Sequence, residues 1–455
     1  MKTAQGLPIV VVATATLFVA GLGLVSQGND PRPGRPQGTG GATADERGEP
    51  AETEGATAAE VPKPREISEF VTRGLTWLAE AQHKDGGWGA GSHAHQEIRD
   101  PHAIVTDPAT TAFVATALLR AGHTPTAGKY KDIVRRATEY LCTAVESSPA
   151  ESPKVTELTG TQPQTKLGPL VDTSMTAQYL ARVLTKLDKS DKLHARVGKA
   201  LATCIKKVEL SQQQDGSWNT GGGWAPVLQS SLACQSYELA QAVGCPVDES
   251  RLEKARDYQK GNFDTATGTV RAEAGAGVAL YALSSSQRAN AGEAKAATDA
   301  VDQAKREGKL AADAPVNVEN LVTSGVARPQ AQKFAAANAA LQAQNDAVND
   351  DNVLAGFGNN GGEEFLSYLF TSESMVIQGG EPWTNWNEKM HTRLAKVQNP
   401  DGSWSGHHCI TSPVFCTAAV VQCLTTDREA ELLTLIAKNA AKRAGDDKPA
   451  EVATP

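Results

Sequence analysis

The pattern Q-x-x-D-G-x-W occurs three times, at Gln82–Trp88, Gln212–Trp218 and Gln398–Trp404, each after a helix-like stretch and before a second one. A four-point pattern recurring in this way marks a repeat architecture, in which each unit buries its apolar face against its neighbours. Each position has a local reading. Asp85-Gly86, Asp215-Gly216 and Asp401-Gly402 follow helical runs and act as stop-and-turn signals, the glycine being free to take positive φ. Trp88, Trp218 and Trp404 can fold back over the helix end, and Gln82, Gln212 and Gln398 can bond backbone groups left open there. The repeat constrains the fold far more than it constrains the chemistry.

These residues resemble the QW repeat (Q-x-x-x-G-x-W) of squalene and terpenoid cyclases, whose fold is shared with protein prenyltransferase β subunits; all three copies match it in full. The resemblance to this prenyltransferase and squalene oxidase repeat family implies an all-α fold, an (α/α)6 toroid with an inner ring of helices around a cavity and an outer ring wrapped about it.

The chain order fits six outer/inner pairs. Amphipathic stretches read as outer helices at 65–82, 130–146, 191–213, 251–259 and 381–398. Segments apolar or small nearly all round read as inner helices at 109–121, 172–187, 226–243, 271–283, 362–378 and 413–424. Asp107-Pro108 is a helix start, aspartate as N-cap and proline at the first helical position. Residues 147–170 form a Pro-rich excursion long enough to have a role of its own. From Ser284 to about Asp350 large apolar residues thin out, and the stretch reads as an expanded, poorly buried outer element or protruding hairpin. The domain reading is therefore an N-terminal apolar segment (1–26), a linker (27–64), the toroid (65–428) and a short helix with a disordered tail (429–455).

The N-terminal apolar run Leu7–Val25 after Lys2 predicts a secretory signal peptide or an uncleaved transmembrane anchor, and no cysteine follows it as a lipoprotein would require. The globular part is then expected outside the cytoplasm: secreted, periplasmic or membrane-anchored. Residues 27–64 carry six prolines and too little apolar surface to offset the entropy of ordering, and they read as a disordered linker. A net charge of −8 and 5 % aromatic residues, with no basic stripe, exclude a nucleic-acid partner.

The chemistry implied by the family is not matched. A D-x-D-D acid for alkene protonation is absent, the nearest pairs being Asp350-Asp351 and Asp446-Asp447, and there is neither a D-D-x-x-D cluster nor the D-x-C of the prenyltransferase zinc site. The strongest remaining constellation is His407, His408, Cys409 and Cys416 at the start of the last inner segment, with His93, His95 and His102 in the first loop, which a closed ring would bring alongside. This set suits a zinc site, a Cys409–Cys416 disulfide or plain packing of small thiols. Asp172, Gln229, Glu273, Glu363, Glu364 and Glu373 are further polar residues on inner segments, each read as a helix-dipole charge or a satisfied core group. The leading expectation is a non-cyclase scaffold binding an apolar small molecule or a protein partner. The alternative is a terpenoid cyclase or prenyltransferase type enzyme acting on isoprenoid or lipid substrates through an acid or metal site that sequence does not reveal.

Overall fold

The structure, a computed structural model, describes residues 63–446 other than 220 and 359, so the apolar run Leu7–Val25, nearly all of the linker and residues 447–455 lie outside it. The first five helices are α1 (Glu69–Glu80), α2 (Pro108–Arg120), α3 (Lys131–Ser147), α4 (Gln162–Lys166) and α5 (Val171–Leu184). Next come α6 (Lys192–Ser211), α7 (Pro226–Ala242), α8 (Glu249–Lys260), α9 (Ala279–Arg306), α10 (Val318–Thr323) and α11 (Arg328–Ala347). The last five are α12 (Asp351–Leu354), α13 (Gly362–Gln378), α14 (Gly380–Ala395), α15 (Pro413–Leu424) and α16 (Ala430–Asp446). Among the described residues no helix is long and apolar enough to cross a membrane.

Six of these helices close a ring: α2, α5, α7, α9, α13 and α15 pack in that order and α15 returns to α2. The other set, α1, α3, α6, α8, α11 and α14, wraps it, giving the all-α toroid of paired helices. The sequence dictates which helix goes where. All thirteen residues of α2 are buried, as suits a helix enclosed on every side. In α3 the buried residues Val134, Ala137, Thr138, Leu141, Cys142 and Val145 make a single stripe at helical spacing, so only one face turns inward. Like ends of the inner helices meet. Ala109 N of α2 donates to Asp172 of α5 (3.0 Å), Leu170 N before α5 to Gln229 of α7 (2.9 Å), and the Tyr281 hydroxyl of α9 to Glu364 of α13 (2.5 Å). The inner helices therefore run parallel, and the loops that enter them gather at one end of the ring, here called the mouth.

The three repeated motifs lock neighbouring outer helices together. Each tryptophan is fully buried and its indole N–H donates to a carbonyl ten residues back, Trp88 to Leu78 (2.8 Å), Trp218 to Val208 (2.9 Å) and Trp404 to Leu394 (2.8 Å). Each glutamine amide donates both within its own turn and to the next outer helix. Gln82 reaches Ile133 (2.9 Å), Gln212 reaches Arg251 (2.8 Å), and Gln398 reaches Phe70 of α1 (2.7 Å), joining the last outer helix to the first. The motif glycines have φ near 90°, and a Cβ on Gly216 would stand 2.2 Å from the Lys254 carbonyl oxygen. Gly216→Ala is expected to cost about 2–4 kcal/mol, from left-handed strain plus the clash. Gly122→Ala, also at positive φ but with nothing within 4 Å of the added methyl, should cost only about 1–2 kcal/mol. Urea midpoints of the two variants check this; equal losses would show that the close approach is irrelevant.

The fourth inner helix differs from its sequence reading. It begins at Ala279 and continues to Arg306, and Ser284–Ala294 is buried throughout, where a loose outer element was expected. The reason is close packing of small residues: a Cβ on Gly292 would lie 3.0 Å from Ala437 Cα of α16. Serine, alanine and glycine there bury backbone against backbone, which a scan for large apolar side chains misses. The outer partner of α9 is α11, and Ala297, Val301, Leu321, Ala331, Phe334 and Ala444 form a small second core beside it.

The end of the ring away from the mouth is filled by ion pairs. Glu373 of α13 pairs with Arg120 of α2, Arg182 of α5 (3.5 Å) and Arg288 of α9 (3.0 Å). Neither α2 nor α5 adjoins α13 in the ring, so these bonds cross its interior. Glu429, just before α16, holds Arg120 (2.7 Å) and Arg182 (3.0 Å), while Glu238 of α7 holds Arg288 (3.2 Å). The α16 helix then packs on α7, α9 and α13.

Candidate functional site at the mouth

The loops converging on the mouth bring together groups scattered over more than 300 residues. The excursion 147–170 ends in α4, capped by Thr161 and Gln164 in a reciprocal capping box. Its Gln162 side-chain oxygen accepts from Thr411 N (2.7 Å) and Ser412 N (3.1 Å), pinning the last loop to the excursion. The first loop meets the last one as well: Gln96 donates to the Cys409 carbonyl and Arg99 to the Gly406 carbonyl (3.4 Å).

Two adjacent glutamates open α13. Glu363 and Glu364 stand in its first turn, where the helix dipole favours negative charge, yet both are essentially inaccessible. Burial, reinforced by the neighbouring Glu364 charge, pushes Glu363 up to about 8, so it is a neutral acid at pH 7. Glu364 is anchored through Oε1, which accepts from the Tyr281 hydroxyl (2.5 Å) and Phe357 N (2.9 Å). Its Oε2 has no hydrogen-bond partner among the described residues and lies 3.7 Å from His408 Nε2.

His408 sits beneath a glycine-rich loop. A Cβ on Gly361 would lie 2.6 Å from its ring and 2.5 Å from Glu364 Oε2, and one on Gly358 would lie 3.1 Å from the ring. Only glycine permits that approach. Phe357 meets the imidazole edge-on at 5.3 Å, and neither ring nitrogen has a hydrogen-bond partner among the described residues. Cys409 follows at a positive φ of 58°, an uncommon conformation for a residue with a side chain. Its thiol, pushed up to about 12 by burial and by Glu363, is a protonated neighbour of that carboxyl. Lys166 completes the polar set, its ammonium 3.9 Å above the Trp224 ring and its charge drawing both Glu363 and Cys409 down.

The residues read from sequence as zinc ligands or a disulfide are placed differently. His407 is exposed, Cys409 and Cys416 are free thiols, and the Cys416 thiol donates to the Ile410 carbonyl (3.5 Å). His93 pairs with Gln96 (3.0 Å), His95 with Glu97 (3.2 Å), and the His102 ring lies tilted 5.4 Å from that of His83, so the first-loop histidines do not point to one centre. Among the described residues no three His, Cys, Asp or Glu side chains are grouped as metal ligands. Asp107 and Asp172 are structural: Asp107 caps α2 through Thr110 N (2.7 Å), and Asp172 ties α2 and α4 to α5. Glu373 belongs to the ion pairs at the far end.

Lys166, Gln162 and Tyr281 went unnoticed in the sequence because nothing local marks them. The run Gly-x-Gly-Asn-Asn-Gly-Gly-Glu-Glu from Gly356 to Glu364 was the available signal, glycines crowded before two acids at an inner-helix start.

Large apolar side chains are exposed on the loops that enter the mouth. Ile98 and Val105 on the loop into α2, Trp224 on the loop into α7 and Phe357 on the loop into α13 are 40–69 % exposed. Of the large apolar side chains exposed among the described residues, only Leu210 and Leu435 lie on helices instead.

No family model and no curated protein matches this sequence. Among solved structures the chain is similar to the type II terpene cyclase MstE from Scytonema. The apo form is 16 % identical with a TM-score of 0.37, over 80 % of this chain and 98 % of that one. A variant in complex with its substrate, geranylgeranyl dihydroxybenzoate, is 15 % identical with a TM-score of 0.36, over 79 % and 97 %.

Proposed function

We propose that the chain is an enzyme performing acid–base chemistry on an apolar, oxygen-bearing substrate of the isoprenoid or lipid class, admitted at the mouth. The observation that carries this reading is Glu363, a buried carboxyl held neutral at pH 7 beside a second carboxyl that faces a histidine. A carboxyl with a pKa of about 8 is too weak to protonate an unactivated alkene, but it matches proton transfer to oxygen near neutral pH. In the proposed step the O–H bond of Glu363 breaks as one forms on the substrate oxygen, and the adjacent C–O bond breaks. His408, oriented by Glu364, takes the proton given up by the resulting cation or by an attacking water and returns it through solvent. The exposure of Ile98, Val105, Trp224 and Phe357 on these loops supports an apolar substrate body.

A second reading, a scaffold binding an apolar ligand or a protein partner, is favoured by one feature: the ring interior is crossed by the Glu373 ion pairs. Incubation with linear polyprenyl alcohols and epoxides, followed by product analysis, separates the two. Conversion by the wild type that is lost in Glu363→Gln supports the enzyme. Binding without conversion, unchanged in Glu363→Gln, overturns it in favour of the scaffold.

A further inference from the structure

Lys166, the last residue of α4, is 5 % exposed, yet its ammonium has no counter-ion among the described residues. Its Nζ finds neither a hydrogen-bond acceptor nor a carboxylate in ion-pair contact there, and what it meets is the Trp224 ring at 3.9 Å. An ammonium carries three N–H donors, and a ring face replaces their lost hydration only in part. The backbone fixes this placement, because the Lys166 carbonyl accepts from both Trp224 N and Ala225 N (2.9 Å each). The groups whose fields meet at Lys166 are Glu363, Cys409 and His93. None supplies a negative charge at pH 7: Glu363 and Cys409 hold their protons, and burial followed by the Lys166 charge lowers His93, favouring the neutral imidazole. The adjoining Glu364 is engaged elsewhere, with Tyr281 and Phe357 N on Oε1 and His408 facing Oε2. His93 and Cys409 are half-buried and Trp224 is 60 % exposed, so the surroundings of the cation are within reach of solvent.

We infer that the mouth takes an ionised carboxylic acid with a long apolar chain, its carboxylate bonded to Lys166 Nζ and its chain laid against the exposed Trp224. The inference rests on the reading of the mouth as the entrance for an apolar substrate and adds the class of its head group. A carboxylate supplies the acceptors that Lys166 lacks, in charge-assisted bonds roughly twice as strong as neutral ones. One ammonium suits one negative charge, and the Glu364 charge beside Glu363 opposes a phosphate dianion. Lys166 is then a binding residue, and the oxygen that Glu363 protonates is a separate group on the same molecule.

Calorimetric titration of the full chain with decanoate, 1-decanol and decyl phosphate, at pH 7 and constant ionic strength, tests this without turnover. Decanoate is expected to bind about tenfold more tightly than decanol, and decyl phosphate no more tightly than decanoate. Lys166→Met keeps the buried stem and removes the charge; it should weaken decanoate about tenfold and leave decanol unchanged. Trp224→Ala, at an exposed position, should weaken both ligands and serves if Lys166→Met does not fold. Absence of decanoate binding, equal binding of decanol, or decanoate binding unchanged in both variants overturns the subsite, and tighter binding of decyl phosphate overturns the carboxylate. Polyprenyl substrates left unconverted, with decanoate binding still dependent on Lys166, would remove the enzyme reading and keep the subsite. Conversion dependent on Glu363, with decanoate binding indifferent to Lys166, would do the reverse.

Discussion

Glu363→Gln is expected to reduce turnover by about 10²–10⁴-fold, the usual contribution of a positioned proton donor, while making the protein more stable in alkaline solution. The two effects share one cause. Burial and the Glu364 charge raise Glu363 from 4.5 to about 8, so the fold favours the neutral form. For an acid raised in the folded state, the stabilising contribution is complete below the unfolded pKa and is lost as pH rises through the folded one. The wild type should therefore lose stability between about pH 4.5 and pH 8, by an amount on the order of a few kcal/mol, and the glutamine variant should not. Activity should fall as pH rises through about 8, because the donor loses its proton. Urea titrations and rate profiles from pH 5 to 9.5 on both proteins measure this. A wild-type stability curve parallel to that of the variant would mean that Glu363 titrates normally and is no neutral acid.

At the other end of the ring, Glu373→Ala should be the most destabilising single change considered, about 3–5 kcal/mol, the cost of leaving buried charges without their partner. Burial alone would raise the Glu373 pKa, but Arg120, Arg288 and Arg182 outweigh it and hold the group down at about 2. Its removal leaves Arg120, Arg182 and Arg288, each no more than 5 % exposed, repelling one another inside the ring, with only Glu429 and Glu238 to offset them. Glu373→Gln keeps the acceptor without the charge and should recover part of the loss. For a depressed carboxyl the contribution is present above the unfolded pKa and disappears as pH falls through the folded one. The difference between wild type and Glu373→Gln should therefore shrink from pH 4.5 towards pH 2. Denaturation midpoints across that range test it, and a difference independent of pH would remove the ionic explanation.

How far the sequence reached depends on the distance over which each residue acts. Gln82 and Gly86 close their own turn, so a seven-residue window announced both the turn and the repeat. Glu363 and Glu364 were visible as acids on an inner segment, but their protonation and pairing depend on Tyr281 of α9, His408 of the last loop and Lys166 of α4. The first and last loops were expected to meet and do, through Gln96 and Cys409. Of the histidines and cysteines on them, read as a zinc site, a disulfide or plain packing, His93, His95 and Cys416 have local partners in Gln96, Glu97 and Ile410. Ser284–Ala294 misled because polar and small residues pack as tightly as large ones when two backbones approach closely.

What the sequence by itself determined was the architecture: amphipathic and all-round apolar helices in alternation, punctuated by Gly-Trp turns, have few ways to bury their faces other than a closed double ring. What only the tertiary structure decided was the chemistry. A carboxyl becomes a neutral acid or a permanent anion according to what surrounds it, and Glu363 and Glu373, ten residues apart on α13, are driven in opposite directions by burial in one case and three arginines in the other.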